Sequence, residues 1–109
     1  MFGRQRGTEA ECEARQFLER QGLKFVSANY HCRCGEIDLI MGDGQTLVFV
    51  EVRLRSNPRF GGAAASVDFR KQRKLVNTAE HYLQQHVHDG PARFDVVAIA
   101  SGNAIDWIQ

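Results

Sequence analysis

A chain of 109 residues is long enough for one domain with a single modest core. Hydrophobic residues make up 43% of it and charged residues 25%, which is ordinary for a soluble globular protein. No apolar run approaches the roughly 20 residues of a membrane helix, and no apolar segment follows the basic N-terminus, as a secretory signal requires. Three cysteines are an odd number and argue against a disulfide framework. We therefore expect one domain over residues 1–109, reduced, cytoplasmic and without a membrane partner.

The net charge of +1 conceals an uneven distribution along the chain. Residues 1–52 hold six basic and eight acidic side chains, whereas residues 53–74 hold seven basic side chains against Asp68 alone. An acidic region followed by a basic one can place a cation-binding pocket beside a surface for a polyanion. The alternative is an ordinary solvated basic loop and helix start.

The predicted elements follow the order αβββαββ, which indicates a mixed sheet with helices packed against it. Thr8 and Glu11 have the spacing of a capping box at the start of the first helix, and Gly22 suits the position after its end. Asp43-Gly44 predicts a two-residue turn between the second and third strands. The predicted bounds are 9–21 and 69–86 for the helices, and 23–30, 35–41, 46–54, 93–100 and 104–108 for the strands.

Acidic residues interrupt two strongly apolar strands, at 35–41 and at 47–53. Buried carboxylates are costly unless they are paired, hydrogen-bonded or bound to a cation. Residues two apart on a strand share a face, and the predicted turn places Glu36 opposite Glu51. Asp38 then becomes a diagonal neighbour of Glu51 on one face, roughly 7–8 Å away. That separation suits two carboxylates that share a hard cation or its waters.

The electrostatics of clustered carboxylates favours a bound cation at these acids. Clustered carboxylates repel one another, and one of them takes up a proton unless a cation is present. With Mg²⁺ or Mn²⁺ they form an oxygen-rich site that can hold a phosphate oxygen and activate a water. Arg53 lies two residues beyond Glu51, on the same face, where it can stabilise negative charge in a transition state. The alternative is that Glu36 and Asp38 lie at a solvated sheet end and that Glu51 pairs with Arg53 or Arg55.

The order of helix, strand, acid-bearing hairpin and crossing helix resembles the PD-(D/E)XK nuclease core, also called restriction-endonuclease-like. In more detail, Gly35-Glu36-Ile37-Asp38-Leu39-Ile40 and the segment 48–55, Val-Phe-Val-Glu-Val-Arg-Leu-Arg, look like those of the YraN family. This bacterial family is similar to archaeal Holliday junction resolvases. The resemblance extends to Ala10-Glu11, 14–18, Phe60-Gly61, 71–75 and 93–97.

The resemblance implies an α/β fold and a metal-dependent endonuclease acting on DNA, branched DNA included. Asp38 and Glu51 match the two metal-binding acids, and Glu11 matches the helix acid that completes resolvase-type sites, although Glu11 is also the last residue of the capping box. Arg53 stands where the superfamily pattern has lysine. Arginine stays charged and cannot act as a base, so the change preserves phosphate affinity and puts efficient cleavage in doubt. A homodimer follows from the resolvase analogy alone, since two-fold substrates suit two-fold proteins.

Positive side chains at the start of the second helix oppose the helix dipole, so the binding of a phosphate there would be favourable. A basic rim that contacts the DNA backbone would bind in a salt-dependent manner with little sequence readout. Its predicted members are Arg55, Arg59, Arg70, Lys71, Arg73 and Lys74.

Three functions stay open at this point. The first is a Mg²⁺- or Mn²⁺-dependent nuclease acting on DNA. The second is a non-catalytic DNA-binding module that retains the fold and the charge pattern. The third is a protein-interaction domain with a vestigial nuclease site.

Overall fold

The computed structural model describes residues 2–55, 69–100 and 104–109, and the side chains of 9–54, 70–100 and 104–109. Two helices pack against opposite faces of one five-stranded sheet. The elements are α1 (Phe2–Arg20), β1 (Lys24–Cys32), β2 (Gly35–Asp43), β3 (Thr46–Arg55), α2 (Phe69–Gln85), β4 (Ala92–Ala100) and β5 (Ile105–Ile108). The strands lie side by side in chain order, with β3 and β4 parallel and the other neighbours antiparallel. The predicted order and the mixed α/β sheet are confirmed.

The two ends of α1 test two predictions from the sequence. The helix already begins at Phe2, so Thr8 lies inside it and the predicted capping box is wrong. A Thr or Gly inside a helix costs only about 1 kcal/mol or less of helix stability relative to Ala. A capping pattern therefore shows where a helix can begin, and the helix can still continue through it. The predicted end is confirmed, because Gly22 has a φ of +100° and the Leu23 N–H donates to the Leu18 carbonyl at 3.1 Å. This is the Schellman arrangement, with its apolar contact between the same two leucines.

The hairpin between β2 and β3 turns at Gly44-Gln45 rather than at the predicted Asp43-Gly44. Gly44 has a φ of +60°, as the first central residue of a type II′ turn requires. The predicted register is wrong by two residues, since Phe49 pairs with Ile40 and not with Asp38. A two-residue shift leaves every side chain on its original face. The apolar pattern therefore fits both registers, and only the turn geometry separates them.

Strand β3 is central and covered on both faces. Val48 and Val50 pack with α1, while Leu47 and Phe49 pack with α2. Continued alternation directs Glu51 toward α2. In the described part of the chain, neither helix is long and apolar enough to cross a membrane.

Strand β2 reverses its faces at Asp38. Ile37 packs on the α2 side of the sheet, whereas Leu39 packs on the α1 side. Strict alternation would place both residues on the same face. On β1, the residue at the same level is Asn29, whose two neighbours pair with Leu39 and Ile37 and whose φ is +55°. Asn tolerates this left-handed conformation better than most residues, and it lets β1 reverse together with β2.

Candidate active site

Asp38 lies where β2 and β3 separate. The last backbone pair between the two strands is Leu39 with Val50. Beyond it, the Val52 N–H donates to the Asp38 carboxylate Oδ2 at 2.8 Å instead of to a β2 carbonyl. The side chain therefore satisfies the strand amide that the reversal leaves without a partner. In return, this bond fixes the orientation of a partly buried carboxylate.

Glu11 reaches Asp38 from α1. It lies on the sheet-facing stripe that includes Ala14 and Leu18, and its carboxyl group is close enough to the side chains of Asp38 and Asn29 to interact with both. The helix acid predicted from the resemblance is thus brought to Asp38, and its alternative role in a capping box is excluded.

Burial and mutual repulsion raise the proton affinity of this pair. Burial is the main cause that raises the pKa of Asp38 to about 6; the Val52 N–H acts against it, and the charges of Glu11 and Glu36 add to it. Burial also raises the pKa of Glu11. Clustered acids of this kind bind a proton more tightly than isolated ones unless a cation takes its place.

Glu51 is 8% exposed and is paired with two cations. Its Oε1 lies 3.2 Å from the Lys71 Nζ on α2 and 3.6 Å from the Arg53 Nε on its own strand. Burial, with a contribution from the Asp38 charge, raises the pKa of Glu51 above its ordinary value, and the two cations act against this rise. The predicted alternative of a Glu51–Arg53 pair is present, but the closer partner is a lysine 20 positions along the chain.

The Arg53 side chain retains an unmet donor. Among the described residues, its buried Nε has no hydrogen-bond acceptor, because the 3.6 Å contact with Glu51 is too long to be one. A buried donor without an acceptor costs about 1–3 kcal/mol. An anion or a water at this position would satisfy it.

Asp38 and Glu51 line an open cleft of about 740 Å³ between the β1–β2 end and the start of α2. One wall is acidic and the other basic. The lining side chains with charge are Glu36, Asp38, Glu51, Arg70, Lys71 and Lys74.

The remaining predicted residues fall elsewhere. Glu11 is not among the cleft residues, since it contacts Asp38 from the α1 side. Arg73 is exposed and also lies outside the lining. Arg59 and the side chain of Arg55 lie outside the described residues.

The three predicted metal ligands do not form a ready cluster. Across residues 2–55, 69–100 and 104–109, no group of three His, Cys, Asp or Glu side chains could hold a metal ion as placed. The physical reason is that Glu11 approaches Asp38 from the α1 face, whereas Glu51 points to the α2 face and contacts Lys71. Asp38 lies between these two acids, and the hydrogen bond from the Val52 N–H fixes its orientation.

Comparison with known families decides the assignment. The family model described as "Uncharacterised protein family UPF0102" matches residues 10–99. The chain belongs to this family. UPF0102 is the YraN family, so the assignment made from the hairpin motifs is confirmed.

Curated relatives align over nearly their whole length. A UPF0102 protein of Nitrosomonas eutropha is 53% identical over 95% of this chain and 90% of the relative. One from Methylobacillus flagellatus is 51% identical over 97% and 95%, and one from Pseudomonas syringae pv. syringae is 52% identical over 96% and 90%. The similarity therefore covers the acids, the hairpin and the basic helix together.

Sequence reasoning missed two contributions to the site of this UPF0102 chain. Asn29 holds Glu11 and shapes β1 through its positive φ. An asparagine inside an apolar strand was an available signal, because Asn is depleted in strands. Lys71 was predicted only as a DNA contact, and nothing local in the sequence indicates that it reaches Glu51.

A second buried acid, Asp95 on β4, was not predicted to matter. Its side chain is fully buried and accepts hydrogen bonds from Arg93 Nε at 3.0 Å and from Trp107 Nε1 at 2.9 Å. Arg93 also donates to Asp43 at 3.0 Å, which extends the network to the end of β2. In this UPF0102 fold, Asp95 has the donors that a buried carboxylate needs, and its role is structural.

Proposed function

We propose that this protein is a divalent-metal-dependent endonuclease that hydrolyses phosphodiester bonds in DNA, branched DNA in particular. The observation that carries the proposal is that a single cleft holds partly buried Asp38 and buried Glu51 on the strand side and three cations on the α2 side. The acidic wall suits a hard cation, and the basic wall suits the DNA backbone. Family membership agrees with this proposal through the resemblance of the hairpin to nuclease motifs. Three free cysteines fit a reducing, cytoplasmic location.

The donor atoms of Asp38 and Glu51 are of the kind that a hard divalent ion prefers, and Glu51 would have to leave Lys71 to reach an ion beside Asp38. These donors are carboxylate oxygens, as Mg²⁺ and Mn²⁺ prefer. The pKa of Asp38 is raised to about 6 mainly by burial, with added repulsion from Glu11 and Glu36, and a bound cation would stabilise its charged form. Asp38 and Glu51 would hold the ion, and Glu11 would complete the acidic set through Asp38. When bound, such an ion polarises a phosphate oxygen and lowers the pKa of a coordinated water.

Lys71 supplies the ammonium group that the hairpin motif, with Arg53 in the lysine position, lacks. Arg53 occupies the lysine position of the superfamily pattern, but the ammonium closest to Glu51 comes from α2. If Glu51 were drawn away to hold an ion, the ammonium group of Lys71 would be available to contact a phosphate in the same cleft. Arg53, whose Nε lies 3.6 Å from Glu51, adds a second positive charge beside that carboxylate. As cations, both groups stabilise developing negative charge rather than removing a proton.

Arg70 and Lys74 extend the basic wall along the first turns of α2. Contacts of this type position the backbone of DNA and carry no sequence information by themselves. The binding is accordingly directed at DNA structure, and a homodimer would present two such clefts to a two-fold junction.

A cleavage panel tests the proposal. Purified protein with Mn²⁺ is incubated with linear, flapped and four-way DNA, beside the variants Asp38→Asn and Asp89→Asn. Wild-type protein should nick at least one substrate, and Asp38→Asn should reduce the rate at least 100-fold. Asp89→Asn removes an exposed carboxylate remote from the cleft and should leave the rate unchanged. If neither wild-type protein nor Arg53→Lys cuts any substrate, the nuclease proposal fails.

The second candidate is a non-catalytic DNA-binding module. It is favoured because Glu51 forms an ion pair with Lys71 and does not, among the described residues, join two other acids in a metal-binding cluster. This module would bind four-way DNA with the same affinity in EDTA and in Mg²⁺, and would cut nothing. A protein-interaction domain with a vestigial site would bind neither DNA nor metal. Calorimetric titration with Mn²⁺, together with DNA-binding curves, separates the three functions.

A further inference from the structure

An apolar pocket of about 280 Å³ opens between α2 and the strands β3 and β4. This volume is close to the lower end of the range for small-molecule sites, roughly 300 Å³. The apolar side chains that line it are Ile37, Phe49, Leu75, Val76 and Phe94. We propose that this pocket binds one unpaired base of the DNA held in the neighbouring cleft. The inference rests on the proposed function and adds to it a preference for DNA with an unpaired base.

The mouth of the pocket exposes an aromatic ring. Phe94 is 42% exposed and Val76 is 43% exposed, which is unusual for large apolar side chains beside a core. The Phe94 ring packs on Phe49, with ring centroids 5.5 Å apart, and Phe49 is buried and packs on Tyr82 in turn. Two rings behind Phe94 hold it in place, so it offers a fixed aromatic surface rather than a loose side chain.

The pocket and the charged cleft are adjacent. Glu51 and Leu75 line both of them. A ligand that enters both spaces meets the basic side chains of Arg70 and Lys74 in the cleft and an apolar surface in the pocket, so a negative charge next to a flat apolar group suits it to both. A nucleotide has this composition, with its phosphate for the cations and its base for the ring. An apolar protein segment would fill the pocket but would offer no negative charge to Arg70 and Lys74 in the adjoining cleft.

The chemistry of stacking sets the substrate class. A paired base stays inside the duplex stack, and extracting it costs a few kcal/mol. A base that is already unpaired at a flap, a strand end or a junction can stack on an aromatic side chain at no such cost. Stacking of this type tolerates any base, because every base has a π face. The pocket is therefore expected to bind any unpaired base, whichever of the four bases it is.

Binding measured in EDTA, where no cleavage occurs, tests the inference on its own. Fluorescence anisotropy compares flapped DNA with fully paired duplex for wild-type protein, Phe94→Ala and Phe94→Trp. Phe94→Ala should weaken the binding of flapped DNA about tenfold and the binding of duplex less than twofold. Phe94→Trp should restore affinity, and its added fluorescence should be quenched by flapped DNA only. Val87→Ala, which truncates a fully exposed side chain outside the pocket, is the matched control and should change neither affinity.

Three outcomes would overturn the inference. The first is an unchanged affinity of Phe94→Ala for flapped DNA, and the second is an equal loss for flapped DNA and duplex. The third is loss of a dimer in Phe94→Ala on gel filtration, which would make the pocket a contact between copies. In each case, a Mn²⁺-dependent cleavage that needs Asp38 would still stand. Wild-type protein that binds no DNA of any kind would instead overturn both the inference and the proposed function.

Discussion

Asp95 and Asp38 are two acids on strands of the same sheet, and their surroundings are opposite. Asp95 is fully buried, yet it receives a guanidinium group from Arg93 and an indole N–H from Trp107. Asp38 receives a backbone N–H from Val52, and the charges that act on it are those of other acids, Glu11 and Glu36. A buried acid surrounded by donors contributes to the stability of the fold. A buried acid placed against other acids destabilises the metal-free protein, and this is the pattern typical of a functional site.

The stability of the Asp95 network gives the largest expected effect. Asp95→Ala leaves Arg93 and the Trp107 N–H without their shared acceptor, and breaking a buried charged pair typically costs about 3–5 kcal/mol. We expect urea unfolding to show a loss of about 3 kcal/mol. Asp89→Ala, at an exposed position, should stay within about 0.5 kcal/mol. A loss below about 1 kcal/mol for Asp95→Ala would remove the contrast between the two acids.

Asp38→Asn should have the opposite sign. Asparagine keeps an acceptor for the Val52 N–H and removes a charge whose folded-state pKa is raised from 3.8 to about 6. A rise of this size corresponds to at most about 3 kcal/mol of destabilisation at pH 7. We therefore expect the metal-free variant to be more stable than wild-type protein at pH 7, by about 1–3 kcal/mol, and to lose binding of Mn²⁺ in calorimetry. A variant that is less stable at pH 7 would show that the carboxylate is structural.

The pH dependence follows from the same shift. Because the pKa of Asp38 is raised on folding, the destabilisation is complete above about pH 6 and disappears as the pH falls toward 3.8. The raised pKa values of Glu11 and Glu51 act in the same direction. We expect the free energy of unfolding of metal-free wild-type protein to rise between pH 7 and pH 5, and to rise less in Asp38→Asn. Identical slopes for the two proteins would contradict the assignment of the shift to Asp38.

Asn29 joins local geometry to the acidic site, and two variants separate its contributions. Asn29→Gly keeps access to positive φ and removes only the side chain that holds Glu11. Asn29→Ala removes that side chain and also strains the backbone, which costs about 1–2 kcal/mol. We expect Asn29→Ala to be about 1 kcal/mol less stable than Asn29→Gly in urea, while both bind Mn²⁺ several-fold more weakly. Equal stability of the two variants would show that β1 can reverse its faces in another way.

The smallest effect is expected at single cations of the cleft. Lys74→Ala should lower the slope of log affinity for DNA against log salt concentration by about 0.9, the value for one lost phosphate contact. Arg73→Ala is the matched control, because Arg73 is exposed on the same helix and does not line the cleft. Anisotropy titrations at several salt concentrations measure both slopes. If both variants lower the slope equally, the DNA contact is not confined to the cleft and extends over the exposed start of α2.

The sequence by itself determined the order of the elements, the end of α1 at Gly22 and the two acid-bearing strands. These features depend on apolar periodicity and on residues close together in the chain. It also predicted Glu11, Asp38 and Glu51 as one acidic set, through the resemblance that family membership now confirms. The sequence did not determine the hairpin register, because a shift by two residues leaves every side chain on the same face of the sheet.

Only the tertiary structure decided how these acids are surrounded. The reversal of β1 and β2 at Asn29 and Asp38, the contact of Lys71 with Glu51 and the donors around Asp95 all join residues that are distant in sequence. Periodicity specifies which face of an element is buried, but it does not specify which polar side chains meet there. That depends on register and on the packing of α1 and α2, and it distinguishes an acid surrounded by donors from one placed against other acids.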